Sequence, residues 1–189
     1  MQQNQKKLAI FVSGTGTLLE SFLNEGLQVD LVLADRVCRG LDIAKEKNVP
    51  TELVERTDFS KNFDREAYTE RVLEVLQSHK IDAVAMAGFN TVLSSSIFEV
   101  YGGRILNTHP ALLPSFKGHY AVRDALSCGV KVTGCTVHVA TPEVDEGKIL
   151  AQKAVDVLSN DTEESLHERI KQAERILYLK TIREFMKNI

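Results

Sequence analysis

Apolar positions in the first half of the chain fall in short unbroken runs, separated by stretches of helical period. The first run is Lys7–Val12 (KLAIFV). Ser13-Gly14-Thr15-Gly16-Thr17 follows it, and Leu18, Leu19, Phe22 and Leu23 then recur at helical spacing, so the pattern predicts strand, tight turn and helix. A second run at Val29–Ala34 is followed by Gly40, a helix-like stretch to Asn48 and a short strand candidate at Thr51–Val54. Tyr68, Val72, Val75 and Leu76 mark a helix within Asp64–Ser78, and Ala83–Ala87 reads as a buried strand ending at Gly88. Unbroken apolar strands alternating with helices imply a parallel sheet covered on both faces.

The pattern changes after residue 104. Val132–Ala140 and Ile149–Val157 are strand-like and are joined by a loop with no helical period, which predicts an antiparallel or mixed extension of the sheet. The last segment opens with Asp161 as the expected N-cap and Glu164 three residues on. Its apolar face runs through Leu166, Ile170, Ala173 and Leu177 to Phe185, so one long amphipathic helix is expected. No internal repeat, low-complexity tract or linker divides the chain. The expected class is α/β: one domain over residues 1–189, with a mostly parallel Rossmann-like sheet, helices on both faces, antiparallel strands added in the C-terminal half, and a long C-terminal helix.

Composition narrows the function classes. Of 189 residues 43% are hydrophobic and 26% charged, which excludes a disordered or fibrous chain. Twenty-three basic against 26 acidic residues give a formal charge of −3, so no global field draws nucleic acid or an anionic membrane, and any phosphate must be bound locally. Cys38, Cys128 and Cys135 are odd in number and widely spaced, which fits neither a disulfide framework nor a zinc knuckle; a reducing cytosol is expected. The polar start MQQNQKK and the lack of an apolar run near the roughly 18 residues of a membrane span predict neither secretion nor insertion. A cytoplasmic protein is expected.

Open α/β sheets bind ligands at the carboxyl ends of their strands, and three polar constellations stand just after apolar runs. In Ser13–Thr17, main-chain N–H groups at a helix start favour an anion, and glycine lets a phosphate approach closely. The segment lacks the third glycine of GxGxxG and the lysine of a P-loop. Two readings therefore stand: a glycine turn with hydroxyl capping, or a phosphate-monoester site. In Asn107-Thr108-His109-Pro110, strand alternation puts the amide and the imidazole on one face, where both can donate to an oxyanion and the ring can exchange a proton. The other reading is a structural histidine at a turn; Pro110 and Pro114 stiffen the segment. In the loop Ala140–Lys148, Asp145 is either a turn aspartate or an inward carboxylate that favours a protonated His109, with Glu146 pointing out.

SGTGT after the first strand, AGF at 87–89, LNTHPALLP at 106–114 and VHVATPEVDEG at 137–147 together resemble the phosphoribosylglycinamide formyltransferase family of folate-dependent transformylases, over nearly the whole chain. The resemblance implies transfer of a formyl group from 10-formyltetrahydrofolate, as co-substrate, to the amine of glycinamide ribonucleotide, with no metal. It also implies small-molecule partners only, no nucleic acid or membrane partner, and a monomer or homodimer.

Residue by residue, the resemblance makes Asn107, His109 and Asp145 the catalytic trio. It assigns the substrate phosphate to Gly14, Thr15, Gly16, Thr17 and Leu18, and the ribose hydroxyls to Glu174. Folate contacts fall to Arg65, Asn90, Thr91, Val92, Leu93, Asn107, Ala140 and Val144. Residues up to about 100 become the phosphate-binding half, and those from about 101 to 189 the catalytic, folate-binding half. Three positions differ from the commonest family pattern: Leu18 where Asn often closes the phosphate loop, Asn90-Thr91 where Met-Arg often follows GF, and Lys117 where Pro often precedes Gly118. In the same superfamily, methionyl-tRNA formyltransferases add a C-terminal RNA-binding domain and formyltetrahydrofolate deformylases an N-terminal regulatory domain. Neither extension is expected here. A nucleotide-binding module without chemistry is the third alternative, and the presence of all three catalytic residue types argues against it.

Overall fold

The computed structural model describes residues 5–189; the first four residues of the polar opening, on which part of the leader expectation rests, lie outside the described residues. The chain gathers into two compact units, residues up to Ile105 with Met186–Ile189, and Leu106–Phe185. Its class is the expected one: a mostly parallel, Rossmann-like α/β sheet with antiparallel C-terminal strands and a long final helix.

In the first unit, β1 (Leu8–Val12), α1 (Thr17–Asn24), β2 (Leu31–Ala34), α2 (Arg39–Glu46), β3 (Thr51–Leu53), α3 (Arg65–Ser78) and β4 (Ala83–Met86) follow the sequence pattern closely. The strands run parallel in the order β3-β2-β1-β4, with Ala9 opposite Leu31 on one side and Val84 on the other. Every residue of β1 and β2 is buried, which is why they read as unbroken apolar runs: both faces are covered. Helix α3 starts where Asp64 accepts from the Ala67 N–H, a side-chain N-cap. Helix α4 (Ser96–Tyr101) has no counterpart in the sequence reading, because six residues are too few to show a helical period.

In the second unit, β5 (Ile105–His109), β6 (Val132–Val139) and β7 (Ile149–Asp156) pair antiparallel, with Asn107 opposite His138 and an irregularity between Val137 and His138. The core here joins Val122 of α5 (Ala121–Ser127), Cys135, Val155, and Leu166 and Ile170 of α6 (Glu163–Met186). Burial pushes the Cys135 thiol up to about 12, so it packs as a small apolar group.

One expectation about α6 needs correction. Thr162 and Ser165 exchange the capping bonds, each side-chain oxygen accepting the other's main-chain N–H, so the cap lies one residue beyond Asp161. Asp161 instead accepts from the Leu158 N–H and grips Arg169 with both carboxylate oxygens. The expected apolar face holds: Leu166 and Ile170 are buried, the half-buried Ala173 and Leu177 pack against them, and Glu174, Tyr178 and Ile182 extend the buried stripe.

Candidate active site

In the first unit, the turn between β1 and α1 ends at Gly16, which has φ 70° and caps α1 without any side-chain hydrogen bond. The hydroxyl-capping reading therefore fails, and the first-turn N–H groups of α1 remain available to an anion. Gly16 is required for two reasons. Its backbone is left-handed, and an added Cβ would lie 2.7 Å from the Cα of Gly40 in α2. The Gly40 N–H also donates to the Gly14 carbonyl at 3.1 Å, so α2 holds the loop in shape. Gly14, Thr15 and Thr17 are exposed and Leu18 is half-buried.

The segment after β4 is tied to this turn. The Ser13 N–H donates to the Gly88 carbonyl, and the Asn90 N–H donates to Ser13 Oγ at 2.9 Å. Thr91 is buried, and its hydroxyl donates to Asp35 Oδ2 at 2.7 Å; Arg36 grips the same carboxylate with two N–H groups. Burial works against the Asp35 charge, yet the bonds from Arg36, Thr91 and Ser13 hold its pKa below the ordinary value. Of the expected folate contacts in this unit, Arg65, Asn90 and Val92 are exposed, whereas Leu93 is buried and the Thr91 hydroxyl is committed internally.

The second unit gathers the other constellation around one carboxylate. Asp145, His109 and His138 have side chains only 5%, 6% and 2% exposed. Asp145 Oδ2 lies 3.3 Å from His109 Nδ1 and accepts the Gly118 N–H at 2.9 Å, while Oδ1 lies 3.6 Å from His138 Nε2. Asp145 thus points inward and Glu146 outward, and Asp145 also stands in a turn with a left-handed backbone, φ 59°. The fold supports this loop closely: a Cβ on Gly147 would run into the Val139 carbonyl, and Glu146 pairs with Lys117 beside Gly118.

The two rings have different partners. His109 Nε2 donates to the Phe116 carbonyl at 2.8 Å while Nδ1 faces Asp145 Oδ2 at 3.3 Å. His138 Nδ1 donates to the Val139 carbonyl at 3.1 Å, leaving Nε2 as acceptor for the Asn107 amide at 3.4 Å. Burial pushes the His138 pKa down, with the Val139 carbonyl and the Asp145 charge opposing, so this ring is held neutral. A neutral His138 can orient the Asn107 amide and leave its second N–H unspent.

Thr136 fixes the chain beyond His109. Its buried hydroxyl donates to the Ala111 carbonyl and accepts from the Leu113 N–H and the Gln152 amide. Glu174 is not gathered with the trio. It accepts from the Thr108 hydroxyl at 2.9 Å, and alternation places Thr108 on the opposite face of β5 from Asn107 and His109. Burial pushes the Glu174 pKa up, against the Thr108 bond. Ala140 is half-buried and Val144 exposed. Among the described residues no group of His, Cys, Asp and Glu is arranged to hold a metal, and no helix is long and apolar enough to cross a membrane.

Sequence reasoning missed His138, Asp35, the Phe116 carbonyl and the Gly118 N–H. A histidine inside the apolar run of β6 was the available signal, but it becomes informative only once the register sets it opposite Asn107.

The fold is that of an α/β enzyme with a polar cluster around a buried carboxylate, and comparison with known proteins gives its class as a group transferase. The formyl transferase family model matches residues 6–182. Phosphoribosylglycinamide formyltransferase of Mycobacterium tuberculosis is 43% identical over 181 residues, covering 93% of this chain and 83% of that protein. The trifunctional purine biosynthetic protein adenosine-3 of Gallus gallus is 39% identical over 181 residues, 92% of this chain and 18% of that longer protein. The crystal structure of phosphoribosylglycinamide formyltransferase from Anaplasma phagocytophilum superposes with a TM-score of 0.89 at 35% identity, covering 98% of this chain and 89% of that one. The chain belongs to the formyl transferase family and, within it, to the phosphoribosylglycinamide formyltransferases, formyl-group transferases of purine biosynthesis.

Proposed function

We propose that the enzyme takes its formyl group from 10-formyltetrahydrofolate and gives it to the primary amine of 5'-phosphoribosylglycinamide. The observation that carries this reading is the Asp145 cluster: a buried carboxylate flanked by two imidazoles, with an amide poised beside them. In the reaction the amine nitrogen attacks the formyl carbon, and the carbonyl electrons move to oxygen. The resulting tetrahedral oxyanion accepts hydrogen bonds from Asn107 and His109. As the bond from carbon to the folate nitrogen breaks, the proton lost by the amine reaches that nitrogen, and tetrahydrofolate leaves.

Asp145 keeps His109 in its doubly hydrogenated form, and His138 keeps the Asn107 amide turned. Because both His109 nitrogens already have acceptors, the oxyanion must share or displace one of them, most readily the neutral Phe116 carbonyl. Fixed donors of this kind each lower the barrier by about 3–4 kcal/mol.

The uncapped N-terminus of α1 supports the phosphate at Gly14–Leu18. Glu174 takes the ribose hydroxyls, and Arg65, Asn90–Leu93, Ala140 and Val144 take the folate. The family match spans both compact units, which supports one formyltransferase domain over the chain. Small-molecule substrates alone, a cytoplasmic setting and a monomer or homodimer complete the proposal. The deciding assay follows tetrahydrofolate release by absorbance with and without glycinamide ribonucleotide. Release that requires the amine is expected. Release without it means a deformylase, and no release means a binding module.

A further inference from the structure

Across the antiparallel strands of the second unit, His109 of β5 stands opposite Thr136 of β6, and Thr136 stands opposite Gln152 of β7, so the three side chains share one face of the sheet. Strand β5 ends at His109. The chain leaves the sheet there through Pro110, Ala111, Leu112, Leu113 and Pro114, and its two prolines offer no N–H. Ala111 and Leu113 are buried, so their main-chain polar groups need partners within the protein.

Two side chains supply them. The Thr136 hydroxyl donates to the Ala111 carbonyl at 2.7 Å and accepts from the Leu113 N–H and from Gln152 Nε2, each at 3.0 Å, which uses its one hydrogen and both lone pairs. Gln152 Nε2 also donates to the Leu113 carbonyl at 2.9 Å, so both amide hydrogens are spent. Leu113 is thereby gripped at its N–H by one neighbouring strand and at its C=O by the next. As a residue Gln152 is exposed on the edge strand of the sheet, where packing asks for no amide, yet it bonds inward to the chain that leaves His109. Further along, the Phe116 carbonyl meets His109 Nε2 and the Gly118 N–H meets Asp145 Oδ2. The stretch held by Thr136 and Gln152 therefore lies between His109 and the main-chain groups that hold the ring and its carboxylate.

We propose that Gln152 is a positioning residue for His109: acting through Thr136 and the main chain of Leu113, it fixes residues 111–113 and so keeps the imidazole aimed at the reacting carbonyl. This inference rests on the role given to His109 under Proposed function. Loss of the two amide donors leaves the substrates bound but lets the ring and the Phe116 carbonyl shift, and a misplacement of about 1 Å lowers turnover far more than binding.

The test measures kcat, KM and Kd for the full chain carrying Gln152→Met, which keeps the length of the side chain and loses both donors, and carrying Thr136→Val or Thr136→Ser. Gln152→Met should lower kcat about tenfold while the Kd of ribonucleotide and of folate each stay within about twofold. Thr136→Ser keeps the hydroxyl and should keep most of kcat. Thr136→Val should lose at least as much as Gln152→Met, and the double variant should be little worse than Thr136→Val alone, as for residues that act as one unit. The proton on His109 Nε2, followed by NMR, reads the positioning without turnover: sheltered by the Phe116 carbonyl in wild type, it should exchange faster in Gln152→Met. Circular dichroism checks folding, and Gln152→Met, at an exposed edge position, keeps the test open if Thr136→Val does not fold. An unchanged or raised kcat, strictly additive losses, or an Nε2 proton as sheltered in Gln152→Met as in wild type overturns the proposal and leaves the formyl-transfer reading standing. A rise in KM with kcat unchanged would put Gln152 on a substrate and also overturns it. Wild type that releases no tetrahydrofolate in the presence of ribonucleotide removes the formyl-transfer reading itself.

Discussion

Around the first turn of α1 the groups free for a ligand are main-chain N–H groups and exposed hydroxyls, shaped by a left-handed glycine and a second glycine packed against it. Around Asp145 they are side chains, packed to a few per cent exposure and tied to one another. The first arrangement tolerates changes of side-chain chemistry, as Leu18 illustrates, but not a change of backbone shape. The second depends on the identity of each side chain, because each lone pair and proton is already allotted.

The sharpest way to break this comparison lies in the second region. His109→Ala should lower kcat by about 10²–10³, and His109→Ala with Asp145→Asn should be little worse than His109→Ala alone, as for groups that act as one unit. A double-mutant cycle on kcat checks this, and strictly additive losses would show that Asp145 acts apart from His109. In the first region two neighbouring glycines should part company. Gly16→Val forces a branched side chain into the left-handed region and onto Gly40, and should cost about 2–4 kcal/mol of stability in thermal unfolding. Gly14, where an added Cβ meets nothing within 4 Å, should accept Val within about 0.5 kcal/mol while ribonucleotide Kd rises about tenfold.

Smaller effects concern the buried ionisable groups. Glu174 has a folded-state pKa raised above 4.5, so the folded state holds its proton more tightly and stability falls as pH rises past that value. Glu174→Gln should therefore be more stable than wild type at neutral pH, with the difference vanishing below pH 4.5; equal melting temperatures at neutral pH would refute this. His138 titrates the other way. Its folded pKa lies below 6.5, so the unfolded chain binds more protons and stability present above 6.5 is lost as pH falls. His138→Gln should flatten that decline in Tm; an unchanged slope would mean the ring is not held neutral.

What was legible in the sequence follows from the same contrast. β1, β2 and β4 were readable because strands covered on both faces must be apolar throughout, and Gly16 of the first turn because only glycine permits its geometry. Asp145 was legible only as one of two readings, a turn aspartate or an inward carboxylate, because a loop position carries no period that fixes its direction. His138 was hidden because its value depends on register across a hairpin, and the Phe116 carbonyl and Gly118 N–H because main-chain groups carry no residue signature.

The contact between Gly16 and Gly40 bears on how this loop can be re-engineered for a different anion. A library confined to positions 13–18 samples only one wall of a mould whose other wall is the start of α2, where Gly40 both limits the space beside Gly16 and holds the Gly14 carbonyl. Substitutions at 39–41 would reshape the loop from outside its own sequence, so a search for altered ribonucleotide selectivity should diversify both segments together.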